Sequence, residues 1–74
     1  MPPLPVLPGA EVVKALGKHG FELVRIKGSH YVMKNSEGRF TVVPVHPGRD
    51  VPPGTLRQII RDAGLSVTDC VALL

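Results

Sequence analysis

Cysteine is nearly absent from this 74-residue chain, where Cys70 stands alone. One thiol can form neither an internal disulfide nor a redox pair, and it cannot assemble a cysteine-rich zinc site. Its apolar surroundings suit a small buried hydrophobe. Tryptophan is missing and aromatics are only 4% of residues. The core must then be built from Val, Leu and Ile, which predicts modest stability that a bound partner would reinforce. Acids are scarce between residues 25 and 49, where Arg25, Lys27, Lys34, Arg39 and Arg49 face Glu37 alone. That segment carries +4 against a whole-chain charge of +3, leaving −1 for the rest. No apolar run is long enough to span a bilayer. The N-terminus lacks the basic start of a secretory leader, and prolines at 2, 3, 5 and 8 would break its helix. A cytoplasmic protein without membrane contact is expected.

What is present is one small domain, since 74 residues leave no room for a second core. Residues 1–8 read as a flexible, extended proline-rich arm, and residues 9–74 as the domain. Ala10 to His19 has Val12, Val13 and Leu16 on one helical face and Lys14 and Lys18 on the other, with Gly20 as its stop. Phe21 to Lys27 is rich in strand formers. Gly28-Ser29 turns the chain into a second strand, His30 to Lys34, and Asn35 to Gly38 makes a hairpin loop to a third, Arg39 to Val45. Leu56, Ile59, Ile60 and Ala63 then mark the clearest helix, with Pro52 and Pro53 in its first turn and Gly64 at its end. Ser66-x-x-Asp69 resembles a capping box for a last short helix, whose Val67, Val71 and Leu74 are expected to pack on the core.

The expected architecture is α+β, in the order α-β-β-β-α with a short helix appended. A three-stranded antiparallel sheet would bury one face under two helices and leave the other open. Alternation puts His30, Val32 and Lys34 on one face of the second strand and Tyr31 and Met33 on the other. Both faces carry apolar groups, so the pattern does not choose the wet one.

Gly20-Phe21, Arg25, Gly28-Ser29-His30, Val43-Pro44-x-His46, Gly54-Thr55-Leu56-Arg57 and Ile60-x-x-Ala63-Gly64 follow in an informative order. In order and spacing they resemble the HicA family of mRNA interferase toxins, from about Ala10 to the C-terminus. The resemblance implies a fold similar to a double-stranded-RNA-binding domain. It further implies a ribonuclease that cuts mRNA and is neutralised by a HicB-like antitoxin. The family's catalytic histidine, in its Gly-Ser-His motif, carries over to His30.

The residues fit that chemistry. Cutting RNA through its 2′-OH needs a proton removed from the nucleophile, charge stabilised on the phosphorane, and a proton given to the leaving 5′-oxygen. An imidazole can serve either proton transfer, so His30 is the candidate base or acid. Read without the resemblance, it is first a strand histidine with a structural hydrogen bond. Arg25, Lys27 and Arg39 are candidate phosphate ligands, with Lys34 and His46 as further RNA contacts. The N–H groups around Gly28 and Ser29 would add hydrogen bonds, because glycine permits close approach.

His46, framed by Pro44 and Pro47-Gly48, could be a second proton-transfer group or simply shape its turn. Ser29 lacks an acidic partner for a nucleophilic triad, and Tyr31 reads as a core residue. His30, His46 and Asp50 have no diagnostic metal-ligand spacing, so neither metal nor other cofactor is expected. Reliance on the 2′-OH would restrict the substrate to RNA, with no binding of DNA by this chain alone. Two other readings share the same residues. One is a non-catalytic RNA-binding module, and the other is an interaction subunit whose basic face meets an acidic protein.

Overall fold

The computed structural model describes residues 3–74, so Met1 and Pro2 of the expected arm lie outside the described residues. The elements are α1 (Gly9–Lys18), β1 (Glu22–Lys27), β2 (His30–Lys34), β3 (Phe40–Pro44), α2 (Pro53–Asp62) and α3 (Val67–Ala72). This is the α+β layout expected from the sequence, with an open antiparallel sheet in the order β1-β2-β3.

The helical stripes become the core. α1 buries Val12, Ala15 and Leu16, and α2 buries Leu56, Ile59 and Ile60, with Ala63 just beyond its end. Against them the sheet presents Met33, Thr41 and Val43, so the Tyr31/Met33 side of β2 is the covered one. Thr41 is the only buried polar residue among those described, and its hydroxyl donates to the Asp62 carboxylate at 3.1 Å. The Gln58 side-chain amide donates to the other oxygen of that carboxylate at 2.9 Å. A buried hydroxyl left unpaired would cost about 1–3 kcal/mol, so this contact joins β3 to the last turn of α2.

The proline-rich segment lies along the domain. Leu7 is buried in the core, its carbonyl accepts from the Val51 N–H at 2.8 Å, and Pro8 forms a β-bridge with Asp50. α1 begins one residue earlier than expected, because the Pro8 carbonyl accepts from the Glu11 and Val12 N–H groups at 3.0 and 3.2 Å.

At the other end, Ser66 and Asp69 form the capping box: the Asp69 N–H donates to the Ser66 hydroxyl at 3.0 Å, and the Ser66 N–H donates to the Asp69 carboxylate at 3.1 Å. The expected packing of this helix needs correction. Val67 is half-buried and Cys70 fully so, whereas Val71 and Leu74 are exposed. A helix of six residues turns one narrow face inward, and here the i, i+3 pair Val67/Cys70 occupies it. Burial pushes the Cys70 thiol above its ordinary pKa, which keeps it protonated in the core.

The backbone hydrogen bond from Ser66, followed by the one from its hydroxyl, holds Asp69 below the ordinary value of 3.8. A depressed carboxylate pKa contributes stability that is present above the ordinary value and lost as pH falls through the lowered one. α3 is therefore expected to loosen as pH falls below about 3.8. Backbone NMR shifts of residues 67–72 should report it, and Asp69→Asn should remove the acid-dependent step.

Candidate active site

The β1–β2 hairpin turns through Gly28 and Ser29 alone, bringing Lys27 opposite His30. Gly28 sits at φ 59 in the first central position, where a type II′ hairpin demands glycine. Which side chains share a face with His30 is decided upstream. The pairing register shifts between Leu23 and Arg25, a bulge that sets Arg25 opposite Val32 and Lys27 opposite His30. Uninterrupted pairing from Glu22 would instead have placed Val24 and Ile26 at those positions. A one-residue slip moves every later side chain to the other face. The bulge thus gives the histidine cationic neighbours.

His30 is paired with Pro44 on the other side, and the ladder runs on past the end of β3. The Val45 N–H donates to the Ser29 carbonyl at 2.7 Å. With that register held, His46 falls on the same side as Pro44 and His30. A turn follows, in which the Arg49 N–H donates to the His46 carbonyl at 3.1 Å. Both imidazoles are exposed. They line one cleft of about 480 Å³ with Pro44, Arg49, Asp50 and Thr55. Thr55 belongs to the first turn of α2, which has no side-chain cap, so its free N–H groups add positive character there.

The rest of the open face carries exposed Val24, Val42 and Phe40 beside Arg25, Lys27 and Lys34. The cleft and this face together can hold an extended polyanion with a phosphate next to two imidazoles and a guanidinium. The sequence model describing HicA toxins of bacterial toxin–antitoxin systems matches residues 9–65. The chain belongs to the HicA family. No curated protein matches it.

The candidate residues of this HicA toxin distribute unevenly. Lys27 is the cross-strand neighbour of His30, and Arg25 lies one pair further along the same face. Lys34 shares the face but stands at the far end of β2, beside Glu22 and Asn35. Gly28 and Ser29 form the turn that leads into His30. Arg39 is directed elsewhere: its guanidinium donates to the Asp62 carbonyl at 3.3 Å, on the helical layer, so it is not brought to the cleft. Tyr31 is half-buried and packs against the core.

His30, His46 and Asp50 line the same cleft, yet among the described residues no three His, Cys, Asp or Glu side chains group as metal ligands. Arg49 and Thr55 are the additions. In the sequence Arg49 is one charge among five, and Thr55 stands only within the Gly54-Thr55-Leu56-Arg57 motif. The Pro-Gly-Arg-Asp turn leading straight into α2 was the available signal. Membership of a toxin–antitoxin family implies an antitoxin partner. Among the described residues no helix is long and apolar enough to cross a membrane.

Proposed function

We propose that this HicA toxin is a cytoplasmic endoribonuclease that cuts mRNA, with His30 as a proton-transfer group. The reading rests on one observation above all: an exposed histidine, paired across the hairpin with Lys27, that lines a cleft together with Arg49. Positioned cations stabilise charge developing on a phosphorane, and a positioned imidazole moves the protons. RNA rather than DNA is the expected substrate, since the reaction draws its nucleophile from the 2′-OH.

A HicB-like antitoxin would neutralise the toxin by covering the open face. That face, with exposed Phe40 and Val42 beside Arg25, Lys27 and Lys34, fits an acidic surface with an apolar centre.

The test is incubation of the purified chain with end-labelled RNA in EDTA. Metal-free cleavage should leave 2′,3′-cyclic phosphate ends, and an all-2′-deoxy strand of the same sequence should survive intact. Binding without cleavage at long incubation would replace the nuclease with an RNA-binding module.

A further inference from the structure

We propose that His46 is the second catalytic group of this toxin, acting opposite His30 on the same phosphate; the inference rests on the nuclease reading above. Three features converge on it. The bond from the Val45 N–H to the Ser29 carbonyl at 2.7 Å extends the β2–β3 ladder beyond β3 and sets His46 on the side of His30. His46 is held from its other side as well. Its carbonyl accepts from Arg49 at 3.1 Å, and the chain after that turn is tied to the N-terminal segment by the Pro8–Asp50 bridge and the 2.8 Å bond from Val51 to Leu7. Finally, both histidines line the one cleft, and among the described residues neither imidazole is tethered by a side-chain hydrogen bond. A histidine kept for structure is ordinarily tethered. These two are positioned through their backbones, and both line the cleft.

Two imidazoles complete the proton balance of the reaction. The 2′-oxygen attacks phosphorus as its proton passes to one imidazole. The P–O5′ bond then breaks, its electron pair goes to O5′, and the other imidazolium supplies the proton that makes the 5′-hydroxyl. The 2′,3′-cyclic phosphate remains on the upstream fragment. The pair ends with its protonation states exchanged, and solvent restores them. Arg49, in the same cleft, is placed to neutralise the nonbridging oxygens.

His46→Ala should lower cleavage of ordinary RNA by about 10²–10⁴-fold, as for loss of a positioned acid or base. RNA affinity should be little changed. Because His46 is exposed, its replacement should leave the native circular dichroism intact; His46→Gln provides a second, hydrogen-bonding variant.

The deciding substrate carries sulfur in place of the bridging 5′-oxygen at the cleaved linkage. A thiolate leaves without a proton, so only the variant lacking the general acid recovers on it. Rescue of one of His30→Ala and His46→Ala, but not the other, would establish the pair and assign the acid to the rescued position. Rescue of neither or of both, or a His46→Ala loss of less than about tenfold, would overturn it. Wild-type protein that leaves both substrates intact would instead strike down the nuclease reading itself.

Discussion

His30→Ala is expected to reduce RNA cleavage by about 10²–10⁴-fold while the protein stays folded and still binds RNA. The two halves of that expectation have separate causes. His30 is exposed at the first position of β2 and contributes nothing to the buried cluster of Met33, Val43, Leu56 and their neighbours. Losing its ring leaves no cavity, so the melting temperature should hardly move. The phosphate contacts proposed for Lys27, Arg25 and Arg49 would remain, so affinity should persist and keep its salt dependence. What would disappear is the proposed proton-transfer group at the cleft, and with it the chemical step.

Lys27→Ala should behave differently. It should weaken RNA binding and flatten its salt dependence, with a smaller loss in the rate at saturating RNA. Single-turnover cleavage, alongside a filter-binding titration over salt, separates the two patterns. Undiminished cutting by His30→Ala would remove this histidine from the chemistry altogether.

Gly9→Ala should be the most damaging single-methyl change in the chain. Gly9 opens α1, is buried, and lies against the backbone at the end of β3. A Cβ there would collide with the Pro44 carbonyl oxygen and stand 2.9 Å from Val45 Cα. These are main-chain atoms that cannot rotate aside. Either α1 lifts from the sheet or residues 44–45 move. Overpacking of this kind costs about 1–3 kcal/mol. A domain of 74 residues has roughly 4–11 kcal/mol in total.

The damage should extend to activity, because residues 44–45 lead directly into His46 and set its register against Ser29. Gly17→Ala is the matched control. It lies in the same helix with nothing within 4 Å of its added methyl, so helix propensity alone should stabilise it by up to about 1 kcal/mol. At about 4–8 °C per kcal/mol for a domain of this size, the two variants should melt on opposite sides of wild type. Equal melting temperatures would show that α1 can shift from β3 without cost.

Much of this architecture is legible in the sequence because it depends on local forces. Leu56, Ile59, Ile60 and Ala63 repeat at helical spacing, so α2 and its buried face follow from periodicity. The Ser66–Asp69 box and the turn at Gly28 are written into neighbouring residues, since caps and tight turns are decided within a few positions. His30 is a candidate on the same footing, its histidine standing at a glycine turn amid excess cations.

The tertiary structure decided what depends on partners distant in sequence. Alternation defined two faces of β2 but did not choose between them. Packing of α1 and α2 onto Met33, Thr41 and Val43 turned His30, Val32 and Lys34 toward solvent. The bulge near Val24 leaves no mark in the alternation, yet it sets Arg25 and Lys27 on the face of His30. Arg39, equivalent to its neighbours by charge, was drawn to the Asp62 carbonyl on the helical layer.

Val71 and Leu74 repeat the apolar pattern but miss the core, because Val67 and Cys70 take the narrow inward face of a short helix. Gly9, unremarkable in the sequence, is required by a backbone approach from residues more than thirty positions away. The meeting of His30 with His46, Arg49 and Thr55 arises the same way. Residue type and local geometry are properties of a short segment, whereas a cleft exists only where separate segments close on one another.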